Sequence, residues 1–326
     1  MIDRWLLPLL VLLLGACARA DGPSVRVHVP RGATFSAVTD SLDAKGLVRA
    51  PRLFRLYARV IGAHDEVKPG VYEFRRGTGW VKLISDLRAG RFLRAKLVIP
   101  EGWDVQRIAE RLAAITELPP ESVAAALLDS GRAARAGVPG PTFEGYLYPA
   151  TYTLAVAMPL DVAVGELVAQ YRRAWRPAWR ARADSLGLSE REAVTLASII
   201  ESEAKRPEEM PLVSAVYHNR LRIHYPLQAD PTVQYALGRR RERLLYAHID
   251  SVADSPYNTY THAGLPPGPI ASPSVRALEA ALYPADVDYL YFVARPDGSH
   301  VFTRSIQEHN RVKEALRRER RALERH

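Results

Sequence analysis

The chain has 326 residues, 48% hydrophobic and 25% charged, with a formal net charge of +9. That composition can bury two or three modest cores and excludes a disordered polymer. A basic excess suits nucleic acid, anionic lipid or an acidic polymer; no nucleic-acid-binding signature accompanies it, and part of it lies in Arg317, Arg318, Arg320, Arg321 and Arg325, interleaved with Glu like a solvated helix end.

At the N-terminus, Arg4 precedes an apolar run from Trp5 to Leu14, and Gly15 and Ala16 lead into Cys17. A positive residue, a short apolar stretch and a small-residue exit describe an export signal. The run falls short of the roughly 20 apolar residues of a spanning helix. Leu14-Gly15-Ala16-Cys17 resembles the lipobox of bacterial lipoproteins, whose cysteine is acylated; a simple apolar anchor is the alternative. Either reading puts the anchor at 1–17, a tether at 18–24 and the remainder outside the cytoplasm. Cys17 is the only cysteine, so the exported part has no disulfide, thiol nucleophile or cysteine-ligated metal.

Val25, Val27 and Val29 alternate as in a half-buried strand. Gly32 and Thr34 open a helix carrying Phe35, Val38 and Leu42, and a second follows with Leu53, Phe54, Tyr57, Val60 and Ile61 as its expected apolar face. Pro69-Gly70 is a turn signal, Val71 to Phe74 a returning strand, and Trp80 to Leu87 a helix closed by Gly90. Residues 25–91 thus form a small α+β module of ordinary domain size. A mixed helical and strand domain over 92–310 follows, with a charged helix end at 311–326. In it, Phe92 to Ile99 reads as strand, Val105 to Ile115 and Glu121 to Leu128 as helices, Gly137 to Thr142 as loop, and Leu160 to Leu186 as helical. Strands recur at Tyr289 to Ala294 and His300 to Thr303. The fold class is α+β.

Ser189-Glu190-Arg191-Glu192 has the form of a capping box. The helix it opens carries Ala193, Leu196, Ala197, Ile200 and Ala204 on a buried stripe. Glu201 and Glu203 fall at opposite edges, because two residues advance about 200°. Half-desolvation favours the neutral carboxyl of a general acid. The bland alternative pairs both glutamates with Lys205 or Arg206, and spacing does not choose between the two. Asp230-Pro231 reads as a helix N-cap followed by a first-turn proline, which leaves Gln228 unexplained. Tyr257-Asn258-Thr259-Tyr260 combines ring faces with amide and hydroxyl groups suited to sugars, and Gly264 to Ile270 is a proline-stiffened loop.

Ala197-Ser198-Ile199-Ile200-Glu201-Ser202-Glu203-Ala204 resembles the catalytic signature of the endolytic murein transglycosylase family (YceG-like). Six further blocks match it: Phe143 to Pro149, Tyr217 to Leu221, Leu227 to Val233, Tyr257 to Tyr260, Gly264 to Ile270 and Tyr289 to Ala294. The resemblance runs from about Val25 to Asn310. It implies that Glu201 is the catalytic glutamate and that the early module is a LysM-like, sugar-binding subdomain; no cofactor or metal is expected. It further implies a lytic transglycosylase at the inner membrane. Such an enzyme cleaves N-acetylmuramic acid–N-acetylglucosamine bonds in nascent peptidoglycan, leaves 1,6-anhydro ends, and terminates strands beside the peptidoglycan synthases. The chain departs from the family at Ala150, where Asp is usual, and at Ser202, where Lys is usual.

Asn219, Gln228, Asp230, Tyr257, Asn258, Thr259 and Tyr260 are the candidate substrate contacts, and Cys17 the candidate lipidation site. One rival is a two-carboxylate muramidase in which Asp230 or Glu144 assists Glu201; another is an inactive wall-binding scaffold. A metalloenzyme is disfavoured because His218 and His224, or His300 and His309, lack the spacing of a ligand pair.

Overall fold

The computed structural model describes residues 21–238, 241 and 244–323; the apolar leader and Cys17 lie outside them. The described chain divides into two compact units. The first takes in the residues up to Leu97 together with Ile115–Glu117 and Tyr152–Pro159, and the second holds the rest.

The first unit runs β1 (Ser24–Val29), α1 (Phe35–Ala44), α2 (Pro51–Val60), β2 (Gly70–Arg75) and α3 (Trp80–Ala89), as the periodicities predict. β1 and β2 pair antiparallel, with Val27 opposite Tyr72 and Val29 opposite Gly70. That register turns Val27 and Val29 into a core with Phe35, Leu42, Phe54, Tyr72, Leu83 and Leu87. The Thr34 hydroxyl caps α1 by accepting from Ala37 N–H, and Gly90, at φ 69°, ends α3 in the left-handed conformation. The expected apolar face of α2 is a different one. Phe54 and Ala58 are buried and Tyr57 half-buried, whereas Leu53, Val60 and Ile61 are exposed.

β3 (Arg94–Ile99) pairs with β4 (Ala150–Ala155). β4 was not expected from sequence, although Thr151 and Thr153 alternate with the buried Tyr152 and Leu154. Its pairing with β3 carries the first unit beyond the 91/92 boundary expected from sequence.

The second unit is mainly helical. It contains α4 (Val105–Thr116) up to Ala114, α5 (Pro120–Leu128), α6 (Ser130–Arg135), α7 (Leu160–Ala174), α8 (Pro177–Ser185) and α9 (Glu190–Glu203). Then come α10 (Met210–Arg222), α11 (Asp230–Ala236), α12 (Tyr246–Asp250), α13 (Val275–Leu282), the antiparallel hairpin β5 (Tyr291–Ala294) and β6 (His300–Thr303), and α14 (Ile306–Leu323). The 160–186 helix is two helices, because Pro177 starts a new one at N1.

At the centre is α9. Ser189 and Glu192 form the expected capping box, with the Ser189 N–H donating to Glu192 over 2.8 Å. Every residue from Ala193 to Ile200 is buried, so the helix is enclosed on all sides rather than along one stripe. It packs against α8, α10, α11 and α13. The polar residues of this stretch are satisfied locally: Thr195 and Ser198 donate to the carbonyls of Arg191 and Thr195.

Candidate active site

The last turn of α9 presents Glu201, Ser202 and Glu203 to three different surroundings. The Ser198 hydroxyl, one turn earlier, accepts from Ile270 N–H over 3.0 Å and pins the proline-stiffened loop to the helix. The loop then pairs with the Glu101-Gly102-Trp103 turn: Gly102 N–H donates to Ser272 O over 2.9 Å, and Ser272 N–H to Trp103 O over 2.8 Å. Glu201 sits where these segments meet. Its Oε2 accepts from Ser274 N–H over 3.0 Å, and Ser274 is the N-cap of α13. A β-carbon on Gly102 would lie 3.7 Å from the Glu201 Cγ, so the turn closes directly over the side chain.

Burial pushes the Glu201 carboxyl above the usual carboxylate range, and the nearby Glu101 pushes the same way. The Ser274 hydrogen bonds oppose both, as donors at a helix N-terminus must. Burial thus favours the neutral form of Glu201, the form a general acid needs. Of the two cations in the bland alternative, Arg206 bonds Asp297 instead, over 2.9 Å.

Glu203 faces elsewhere. It accepts from the Tyr217 hydroxyl over 3.1 Å and from Asp230 N–H. Burial, with the Asp230 charge beside it, pushes its carboxyl up to about 7. Glu203, Ser202, Asp230, Glu144 and Tyr235 line a cavity of about 760 Å³ with Arg107 and Lys205; Glu201 is not among the lining residues.

Glu144, from the Phe143 to Pro149 block, is only 2% exposed. Both its carboxyl oxygens accept from Val105 N–H, at 3.2 and 3.1 Å, and the Tyr235 hydroxyl bonds it as well. Gly145 follows at φ 81°, where a β-carbon would lie 2.4 Å from Pro269 Cβ; only glycine permits that approach. Burial pushes the Glu144 carboxyl up to about 8 from 4.5. A raised value means that the folded chain keeps a proton the unfolded chain loses. Stability is therefore full below about 4.5 and declines as pH rises towards about 8. Glu144→Gln is neutral at every pH and is expected to flatten that decline, by an amount on the order of several kcal/mol. Urea unfolding of both proteins across this pH range measures the difference.

The other sequence candidates separate into two groups. Asp230 lines the cavity, and the Tyr260 hydroxyl donates to its Oδ1 over 2.5 Å. Asp230 opens the first turn of α11 without capping it, and Ala229 takes the N-cap position, so the expected capping role is corrected. Gln228 is exposed, at φ 49°, a conformation few non-glycine residues adopt. Tyr257 is half-buried, its ring 4.9 Å from that of Tyr235.

Asn219, Asn258 and Thr259 belong to the scaffold. The Asn219 amide donates to Val287 O and Tyr289 O. Asn258, fully buried, donates to Ile249 O and Val252 O. The Thr259 hydroxyl accepts from Ala229 N–H and meets the Thr232 hydroxyl at 2.9 Å. Their polarity serves backbone groups that would otherwise be buried unpaired.

Ser274, Glu101 and Tyr235 were not singled out in the sequence. A serine opening the Val275 to Leu282 run is a legible N-cap signal. Tyr235 carries none, since an aromatic on a helix is ordinarily core. Among the described residues, no group of three His, Cys, Asp or Glu is placed to hold a metal ion, and no helix is long and apolar enough to cross a membrane.

The site is thus one of carboxylates delivered by a central helix beside a proline-stiffened loop, and comparison with known proteins gives the family. The profile of the YceG-like family matches residues 27–315. The chain belongs to the YceG-like family. It is 32% identical over 319 residues to the endolytic murein transglycosylase of Bacillus subtilis, covering 93% of this chain and 87% of that protein. It is 29% identical to the endolytic murein transglycosylase of Streptococcus pneumoniae D39, covering 88% of this chain but 57% of that longer protein. The crystal structure of a YceG-like protein from Listeria monocytogenes superposes with a TM-score of 0.61 at 31% identity, covering 88% of this chain and 98% of that one.

Proposed function

We infer that this chain is a lytic transglycosylase that cleaves peptidoglycan glycan strands, with Glu201 as its acid and base. The observation that carries the assignment is a half-buried carboxyl at the end of a helix whose middle is fully buried, held by Ser274 and raised above the ordinary carboxylate range. Neutral Glu201 protonates the oxygen between N-acetylmuramic acid and N-acetylglucosamine as that C–O bond breaks. The resulting carboxylate takes the proton from the muramic acid 6-hydroxyl, whose oxygen bonds the anomeric carbon. No water is consumed and no second carboxylate is needed, because the nucleophile belongs to the substrate.

A two-carboxylate hydrolase is the second reading. It is favoured by one observation, that Glu203 and Glu144 line the large cavity and Glu201 does not. Mass spectrometry of fragments released from nascent, uncrosslinked glycan separates the readings. The transglycosylase is expected to leave 1,6-anhydro ends, one water lighter than the reducing ends of a hydrolase. Reducing ends alone would favour the hydrolase.

The finer assignments belong to the same proposal. Cleavage inside nascent strands would terminate their growth beside the synthases. The first unit, with its strand–helix–helix–strand order, serves as a LysM-like glycan-binding module. The leader, by lipid on Cys17 or as an apolar anchor, holds the enzyme at the membrane with its catalytic part extracytoplasmic. Labelling with a radioactive fatty acid, with Cys17→Ser as control, distinguishes the two anchors.

A further inference from the structure

The first unit carries an aliphatic face that its core does not use. On α2, Leu53, Leu56 and Val60 are 58%, 55% and 76% exposed, and Ile61 just beyond it is 43% exposed. Spacings of three and four residues place Leu53, Leu56 and Val60 on one side of the helix. Phe54 and Ala58 occupy the opposite, buried side. One residue back from each aliphatic position lies an arginine, Arg52, Arg55 and Arg59. Arg55 is tied to Asp40 over 2.8 Å; Arg52 and Arg59 are exposed and make no ion pair among the described residues. On the other border are Tyr57 and Trp80, half-buried, with ring centroids 6.2 Å apart.

An aliphatic ridge with a cationic row on one side and Tyr and Trp on the other matches the chemistry of a helix lying in a bilayer interface. Aliphatic groups enter the acyl boundary, arginines meet phosphates, and amphipathic rings sit at headgroup depth. Sugar hydroxyls would find no hydrogen-bonding partner on the aliphatic ridge. The chain also supplies proximity. Six residues lie between Cys17 and Ser24, a span of at most roughly 25 Å over the seven steps when extended. A chain anchored at or before Cys17 therefore keeps this unit at the membrane surface.

We propose that the exposed face of α2 docks on anionic phospholipid headgroups, as a second membrane contact beside the leader. The proximity argument rests on the anchored reading above; the face itself does not.

The test uses the full chain with phosphatidylcholine vesicles, with and without phosphatidylglycerol. An environment-sensitive fluorophore is placed on Val60→Cys and, as control, on Glu73→Cys, which is exposed on β2. The unsubstituted chain, labelled identically, gives the Cys17 background. Nitroxide-bearing lipids are expected to quench the position-60 probe several-fold more than the position-73 probe when phosphatidylglycerol is present. Leu53→Glu with Leu56→Glu, both at exposed positions, is expected to abolish the difference without loss of helical circular dichroism. Equal quenching at the two positions overturns the proposal. So does shielding of position 60 that follows protein concentration without vesicles, which identifies a second copy, or shielding by purified sacculi, which identifies glycan. Co-flotation of the unsubstituted chain reports anchoring separately: a chain that floats with equal quenching keeps its anchor and loses the α2 contact.

Discussion

Glu201→Gln is expected to slow glycan cleavage by about 10²- to 10⁴-fold, the usual worth of a general acid–base group, while the chain folds as before. Glutamine keeps an oxygen to accept from Ser274 N–H, so the Gly102 turn and the α13 cap stay in place. The proton available to the glycosidic oxygen is lost. Glu203→Gln is the paired measurement. Its carboxyl is occupied by Tyr217 and the Asp230 N–H, and removing a like charge beside Asp230 relieves repulsion. Its cleavage rate is expected to stay within about tenfold of the unsubstituted chain. Release of soluble fragments from uncrosslinked glycan measures both rates. A collapse with Glu203→Gln and a normal rate with Glu201→Gln would transfer the acid role to Glu203. The pH profile adds a second readout. An acid raised by burial works while protonated, so the rate falls as pH climbs through the Glu201 value. Glu101→Gln removes a charge that raises it and is expected to move that fall to lower pH.

Arg220→Ala is expected to destabilise the protein by about 3–5 kcal/mol, read as a lower urea midpoint. The guanidinium is 7% exposed and donates to Leu290 O over 2.7 Å, Leu227 O over 2.7 Å and Pro226 O over 3.3 Å. It also lies 5.2 Å from the ring centroids of both Tyr225 and Tyr291. Alanine leaves the three carbonyls without that donor and withdraws the positive charge that favours the Glu203 carboxylate. The neighbouring residues act alike: His218 Nε2 meets Ala281 O at 2.8 Å, and Asn219 holds Val287 and Tyr289. The Tyr217 to Leu221 block is thus a hub that ties α13, the β5 approach and the Leu227 to Asp230 edge to α10. Arg220→Lys keeps the charge but cannot reach several carbonyls with a planar fork, and its midpoint is expected to fall between the other two.

Much of the first unit was legible because its determinants are local. Val25, Val27 and Val29 alternate, Thr34 caps and Gly90 terminates, and each acts within a few residues of itself. The aliphatic face of α2 misled for the same reason. Leu53, Val60 and Phe54 look alike in composition, and only packing against α1 and α3 separates Phe54 from the other two. β4 was not singled out although Thr151, Tyr152, Thr153 and Leu154 alternate, and its pairing with β3 is a tertiary fact that no local pattern names.

Within the second unit, the capping box at Ser189, the helix ending in Glu201 and Glu203, and the stiffness of the Gly264 to Ile270 loop all follow from the residues themselves. Spacing left the two glutamates equivalent, since a helical wheel records direction and not what waits there. The approach of Ser274 and Gly102 to one carboxyl, and of Tyr217 and Asp230 to the other, distinguishes them. So does the fate of Asn219, Asn258 and Thr259, whose sugar-binding composition is consumed by distant carbonyls, amides and hydroxyls. Periodicity and caps were readable because backbone hydrogen bonding and burial repeat over a turn or a pleat. Which polar side chain stays free for a substrate was decided only by folding, which brings together groups as distant in sequence as Gly102 and Ser272 and gives the Asn219 and Asn258 amides their carbonyl acceptors.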